Sequence, residues 1–471
     1  MTTAAASRAA KSIFVSAADT RRILFLAVPA MLAFLTQTAV NIVDTWFIGQ
    51  LEEPARSNGQ GMLTHALTLL WAVGGFFSAI SVGTQAMVAR RMGEQAKSAA
   101  GAVLLNASTL AAVASLAAAI ACWLAIPSMY EYLSDDPNYI ELGVDYTQWR
   151  FVGVTSMVVT AAYKAFYDGT GRTYVHFVAA VVMNIVNLLL CYALIFGNWG
   201  FSELGVKGAG VAAAVASWVG LGVMIVFTLR PSDRRIYRPY RVRLLSPGMV
   251  RELARISTPS GVATTVVMTG FFVFRQIVQH LDADYLQRGG TEAVYGAATT
   301  IIINVLSVSF FSCMAFGVAT ATLVSQSLGA RDPDGAERYA WSSVKIGVLA
   351  FSIVGALEVA FPQALIAVFN DSEEVIRVGT PSMRLAGACG PLIAAGMILT
   401  QALFGAGDTR FVMMVEFALH LGCMVPCAYL FGLTLEGGLL GVWSAAATYA
   451  LLLTLVMAFR FRGGSWKRIR I

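Results

Sequence analysis

Residues 82–93 read Val82-Gly-Thr-Gln-Ala-Met-Val-Ala-Arg-Arg-Met-Gly93, and residues 318–329 read Val318-Ala-Thr-Ala-Thr-Leu-Val-Ser-Gln-Ser-Leu-Gly329. When Val82 is set on Val318, two valines, a threonine and the closing glycine coincide. The same offset sets Gly169-Thr-Gly171-Arg-Thr173 on Gly405-Ala-Gly407-Asp-Thr409. Two separate blocks sharing one offset point to duplication of a whole half. Long apolar runs border both blocks, so the duplicated halves are membrane-embedded. Secondary transporters are built this way, with the substrate path between the repeats.

Composition agrees. The chain is 57% hydrophobic and 13% charged, with a mean hydropathy of +0.68. A soluble domain is about 45–50% apolar and about 25% charged. The net charge of +6 does not indicate nucleic acid, because the basic residues sit in loops, where they orient helices. The segment 1–22, Ala/Ser-rich with Arg8, Lys11, Arg21 and Arg22, leads into an apolar run long enough to span, so no cleaved signal peptide is expected. The six cysteines lie in or beside apolar runs without metal-ligand spacing, so packing is expected rather than disulfides or a metal site.

Apolar runs of spanning length fall at 23–48, 61–88, 99–127, 143–167, 174–197, 205–229, 253–280, 293–324, 339–361, 376–404, 411–432 and 438–460. The expected fold is an all-α membrane protein of twelve transmembrane helices in two six-helix lobes. With both termini cytoplasmic, 26 of the 33 Lys and Arg fall on the cytoplasmic side. An even number of spans per half makes the repeats parallel. The expected organisation is a cytoplasmic N-tail (1–22), an N-lobe (23–229), a basic cytoplasmic linker (230–256), a C-lobe (257–460) and a basic tail (461–471). Within the linker, Ser246-Pro247 reads as the start of a short interfacial helix feeding the seventh span; a plain solvated loop is the alternative.

Charges inside apolar spans are costly and mark functional candidates. In Gln37-Thr-Ala-Val-Asn41-Ile-Val-Asp44-Thr-Trp-Phe-Ile-Gly49, the residues Gln37, Asn41 and Asp44 recur at i, i+4 and i+7 and share one helix face. A carboxylate flanked by two amides can hold a proton or a small cation. The competing reading is that Asp44 only caps an outer helix end in contact with water. Pro29 in the same helix removes a backbone hydrogen bond, as a hinge or as a tolerated membrane proline. Asn184 and Asn187 interrupt the fifth span, as part of a site or as helix–helix glue. Tyr146, at the start of the fourth span, points into the same half or joins an aromatic belt. Glu358 and Glu416 fall near span ends and are expected at the interface, while Arg275 and Arg384 can snorkel. Phe271, Phe272, Phe274, Phe310, Phe311, Met314 and Phe316 could line a pocket for lipophilic guests, with packing the alternative for each.

Taken in order and in both halves, these motifs resemble the MATE family, the multidrug and toxic compound extrusion transporters. The carriers are Pro29 with Asn41-Ile-Val-Asp44-Thr-x-Phe-Ile-Gly49, the block ending at Gly93, its repeat Thr322–Ala330, Gly405–Thr409 and Gly205-Val-Lys-Gly-Ala-Gly-Val211. The resemblance implies twelve helices, alternating access, and export driven by a proton or sodium gradient. It looks closest to the DinF-type branch, whose N-lobe site combines a first-helix Asp, a fourth-helix Tyr, and a fifth-helix Asn followed four residues later by an Asp. Asp44, Tyr146 and Asn187 match; Cys191 stands where the second carboxylate would be, and an alanine near Ala213 replaces a threonine. The acids that other branches carry in helices seven and ten are not matched.

Sodium favours several hard oxygen ligands, and a thiol is a poor one; this leans the coupling toward H+ rather than Na+. The expectation is an antiporter exporting small amphipathic, cationic organic compounds through Asp44, Asn41, Tyr146, Asn187 and Gln37, with Asn184, Cys191 and Pro29 as substrate or supporting residues. No cofactor, metal or nucleic acid is expected, and no enzyme chemistry, since His65, His176, His280 and His420 do not cluster in sequence. A monomer in the lipid bilayer of a bacterial-type inner membrane is expected. The alternative is a flippase for a lipid-linked saccharide, which would need a basic cavity to grip pyrophosphate.

Overall fold

The computed structural model describes the backbone of residues 15–48, 50–51, 55–290 and 292–471; side chains at 37–45, 55–62 and 64–65 lie outside the described set. Among the described residues all regular elements are helical. The first half contains α1 (Ala17–Ile48), α2 (Ala55–Ser78), α3 (Ile80–Gly93), α4 (Lys97–Leu133), α5 (Pro137–Val152), α6 (Val154–Gly169), α7 (Tyr174–Ile195) and α8 (Gly205–Leu229). A short α9 (Pro231–Tyr237) follows in the linker. The second half contains α10 (Pro247–Gln287), α11 (Val294–Gly329), α12 (Pro333–Ala360), α13 (Pro362–Ala367), α14 (Glu373–Ala406), α15 (Thr409–Thr434) and α16 (Gly438–Arg462). Ten segments among the described residues are long and apolar enough to cross a bilayer, α2 and α3 forming one of them. Helix α1 and the α5–α6 pair complete the twelve-helix fold.

Residue placement shows the solvent these helices were built for. On α4, Ala107, Ala111, Ser115 and Ala119 recur every fourth residue and are buried. Leu116, Ile120 and Leu124 on another face are 53%, 54% and 67% exposed. Small residues inward and large aliphatics outward is the arrangement of helices packing in lipid, where close approach gains dispersion contacts and no water drives leucine inside. The helical backbone satisfies its own polar groups, as a lipid environment requires.

Three boundaries differ from the hydropathy reading, each for a local reason. The fourth span is two helices, broken at Gly153, whose missing side chain admits Ala214. Its first part begins at Pro137, capped by Asp136, which accepts from Asn138 N at 3.0 Å. The proposed interfacial helix is not separate: α10 runs unbroken from Pro247 to Gln287, with Val250 N donating to Ser246 O. Helix α15 loosens into π-turns at His420–Met424 and Leu430–Thr434. Pro426, which lacks an N–H and crowds the preceding turn, accounts for the first of them.

The chain forms two compact units. One contains Leu32–Thr265 with Ile471, the other the described residues up to Met31 with Val266–Arg470. Helices α1 and α10, the first of each half, therefore contribute to both units. Each unit has its own apolar core. The first gathers Phe47, Ile48, Tyr146, Phe166, Cys191 and Leu253; the second gathers Phe274, Ile302, Met383, Met424 and Trp443.

The sequence repeat is also a repeat of hydrogen bonds. Arg172 N donates to Tyr167 O, and at the equivalent place in the second half Asp408 N donates to Leu403 O, at 2.7 and 2.9 Å. Gly171 and Gly407 close these two helix ends with φ of 79° and 91°, a conformation that costs glycine nothing. Ala96 N to Arg91 O and Asp332 N to Ser327 O form a second matched pair, at 2.8 and 2.9 Å. Gly169 and Gly405 lie where a Cβ would collide with α3 and α11, respectively. The two motifs that reveal the duplication are thus neighbours in space within each half.

Candidate functional site in the first unit

The site is built on α7. Asn184, Asn187 and Cys191 fall at i, i+3 and i+7, hence on one side of the helix. Asn187 and Cys191 are buried, and Asn184 is half-buried. Asn184 Nδ2 donates to Thr36 O of α1 at 2.6 Å. Further along, the rings of Phe47 and Phe196 lie 5.9 Å apart. Between these two contacts α1 advances from Thr36 to Phe47 while the other chain segment advances from Asn184 to Phe196, in the same direction and by nearly equal lengths. The stretch of α1 from Thr36 to Phe47 is thus held at both ends by the segment Asn184–Phe196, which carries Cys191. The side chains of Gln37, Asn41 and Asp44 lie outside the described residues.

Tyr146 is wholly buried in α5. It lies well inside that helix rather than at a span start, and it is no belt residue. Gly210 of α8 sits against it: a Cβ there would fall 2.8 Å from Tyr146 O. Tyr146 and Cys191 share the apolar core with Phe47 and Ile48 from the end of α1. Arg150 lies over the Tyr146 ring at 6.0 Å. Lys207 pairs with Asp145 at 3.0 Å nearby. Ala213 is buried in α8. Pro29 is half-buried in α1, just before the unit boundary at Met31.

Lys164 joins this neighbourhood without having been expected there. Its Nζ lies 2.7 Å from Asp168 Oδ2, whose residue is 1% exposed, and 5.1 Å from the Phe34 ring centre. A cation thus reaches α1 between Pro29 and Gln37. The i, i+4 spacing of Lys164 and Asp168 is the signal that sequence offers, and it is hidden where hydropathy ends the fourth span between them. Just beyond, Arg172 Nη1 binds Asp233 Oδ2 of α9 at 2.6 Å. Burial pulls Arg172 down, but the hydrogen bonds and charges of Asp233 and Tyr174 together outweigh it and raise the guanidinium above its ordinary value. Burial also pushes the Tyr237 phenol up. In the second half, Arg460 Nε binds Asp408 Oδ2 at 2.8 Å.

Glu358 and Glu416 correct the expectation of interfacial exposure: they are 3% and 7% exposed. Among the aromatic candidates for a lipophilic pocket, Phe274 is core, whereas Phe271, Phe272 and Phe310 lie on exposed faces.

The MatE family profile matches residues 29–193 and 259–430, one block in each half. The chain belongs to the MatE family. MatE proteins are membrane transporters, not enzymes. Among curated relatives, the probable multidrug resistance protein NorM of Thermotoga maritima is 25% identical over 454 residues, covering 95% of this chain and 93% of its own. The multidrug resistance protein NorM of Burkholderia vietnamiensis is 26% identical, covering 94% and 93%. Solved MatE-type structures share the fold. A MOP superfamily transporter from Pyrococcus furiosus superposes with a TM-score of 0.84 at 19% identity, covering 96% of this chain and 97% of that one. An outward-facing multidrug resistance MATE transporter gives 0.83 at 18%, covering 95% and 97%.

Proposed function

We propose that this protein is a secondary active antiporter that exports small amphipathic, cationic organic compounds in exchange for H+, with Na+ the less favoured ion. The observation that carries the reading is the polar side of α7. On this apolar helix Asn187 is buried and Asn184 half-buried, and Asn184 is bonded to α1, the helix that carries Asp44. Polar groups at that depth are costly and are expected to serve transport. Relatives named for multidrug resistance support the substrate class.

In this reading Asp44 takes a proton from outside, assisted by Asn41, Gln37, Tyr146 and Asn187. Loss of its charge lets α1 bend near Pro29 and releases the substrate, while Asn184 ties the two helices. Cys191 keeps the site short of the oxygen ligands sodium needs. The protein works by alternating access, as a monomer, in a bacterial-type inner membrane with both termini cytoplasmic. The flippase reading gains nothing from Lys164, because Asp168 neutralises it.

The test is efflux of a fluorescent lipophilic cation from proteoliposomes under an imposed pH gradient, wild type beside Asp44→Asn. Proton-driven efflux that disappears in the variant supports the reading. Efflux that survives moves coupling away from Asp44. Efflux driven by sodium and indifferent to pH overturns proton coupling.

A further inference from the structure

The second unit holds a buried cluster that the site above does not use. Glu416 and His420 sit four residues apart on α15, and Tyr449 faces them from α16. His420 Nδ1 lies 3.0 Å from Glu416 Oε2 and 3.3 Å from the Glu416 carbonyl oxygen. Tyr449 OH donates to the same Oε2 at 3.0 Å. The imidazole is 1% exposed, and its ring lies 4.2 Å from that of Tyr449. Gly270 of α10 makes the room: a Cβ there would stand 3.1 Å from His420 Cδ2.

The tautomer follows from the partners. Nδ1 faces two acceptors, so it carries hydrogen and donates. That leaves Nε2 as the atom that gains or loses a proton, and Nε2 has no partner among the described residues. With Nε2 bare the cluster carries the single negative charge of Glu416. With Nε2 protonated, imidazolium and carboxylate cancel. An uncompensated charge in an apolar core is costly, so the cluster prefers to hold a proton or to meet another cation. The π-turn at His420–Met424 begins at the histidine itself, and such turns recur at functional positions.

We propose that Glu416, His420 and Tyr449 form a second proton-binding site, in the second half of the protein, and that it sets part of the pH dependence of transport. The duplication supports the placement. The offset that sets Val82 on Val318 sets Asn184 on His420. Asn184 meets α1 in the first half, and His420 meets α10 at the corresponding level. The repeat thus keeps a contact between the fifth span and the first of each half, through an amide hydrogen bond in one half and the carbon edge of an imidazole in the other.

Among the described residues, the salt bridge made by Glu416 is to His420, and none to a Lys or Arg is seen. On α16, Arg460 is engaged by Asp408. On α10, the nearest to Gly270 in sequence is Arg275; on α14 it is Cys389; on α15 itself they are Arg410, Cys423 and Cys427. Cys423 and Cys427 face each other at 4.0 Å.

This inference rests on proton coupling for its role in transport, but proton binding is measurable without transport. With four histidines in the chain, selective 15N-histidine labelling of the purified protein in detergent gives a readable spectrum. The signal removed by His420→Gln identifies the residue. Followed across pH 5–9, it is expected to move between its neutral and protonated positions, and Glu416→Gln is expected to displace that movement. Asp44→Asn should leave it in place. Tyr449→Phe, which keeps the ring, serves if His420→Gln fails to fold, since it too should displace that movement. In proteoliposomes the same variants should shift the pH profile of efflux.

A His420 signal that stays fixed over that range overturns the site, whatever Asp44 does. A titrating His420 with an unmoved efflux profile overturns its role in transport. Loss of proton-driven efflux from the wild type alongside an intact titration sinks the exporter reading instead and leaves the proton site standing.

Discussion

The side-chain amide of Asn184 donates to the main-chain carbonyl of Thr36 across 2.6 Å. This bond fixes the register of α7 against α1 next to the Gln37 position. It ties the helix that carries the proposed proton acceptor to one whose amide face is buried in the core.

Asn184→Ala should therefore loosen α1 without touching Asp44. A lost hydrogen bond of this kind costs about 1 kcal/mol. The expected outcome is a modest fall in thermal stability in detergent, with proton-driven efflux reduced severalfold. Unchanged efflux would mean that the bond is only structural glue.

Cys191 gives a sharper chemical test. Cys191→Asp adds a carboxylate to a fully buried position in the core it shares with Phe47 and Ile48 of α1. An unpaired buried charge costs several kcal/mol, and a cation offsets it. The variant should be less stable than wild type in potassium at pH 8 and should recover in sodium or at pH 5. Thermal unfolding in those conditions checks it; equal stability in all of them contradicts the proposed proximity to the ion site.

Gly210 tests the packing around Tyr146. A Cβ at this position falls 2.8 Å from a backbone oxygen, and backbone yields less readily than a side-chain tip. Gly210→Val should destabilise the protein by about 1–3 kcal/mol through overpacking. Gly222, where a Cβ would meet nothing within 4 Å, is the control; Gly222→Val should be tolerated.

The Arg172–Asp233 pair is partly screened, with side chains 22% and 10% exposed. Removing one partner by Asp233→Ala should cost about 1–3 kcal/mol, between the exposed and buried limits. The swap Arg172→Asp with Asp233→Arg should recover part of that loss. Unfolding of the single and double variants decides whether the charges interact.

Several features are legible in the sequence because they follow from solvent and from periodicity. The lipid environment shows in composition, the duplication in the Gly-rich blocks, and the shared face of Asn184, Asn187 and Cys191 in helical spacing. What stays hidden is mostly tertiary. Nothing local in the hydropathy pattern separates a glutamate near a span end in water from one sealed against a neighbouring helix, as Glu358 and Glu416 are. The Glu416–His420 spacing is readable, but Tyr449 joins it from another helix. The polar opening turns from Pro137 to Leu142 fall outside the apolar run, so Tyr146 reads as a span start although it lies mid-helix. Asn184 needs a partner, yet that partner is a backbone carbonyl, which no residue type announces.

The two matched helix ends at Gly171 and Gly407 share a backbone but not a polarity. The residue after the glycine is cationic in one half, Arg172 held by Asp233, and anionic in the other, Asp408 held by Arg460. Duplication supplied two identical sockets, and divergence has keyed them oppositely. In a chimaera made of two first halves, Arg172 would keep Asp233 while its copy would lack that partner unless α9 were copied too. Each helix end is thereby tied to a later segment on its own side of the duplication by a charge pair of the opposite order.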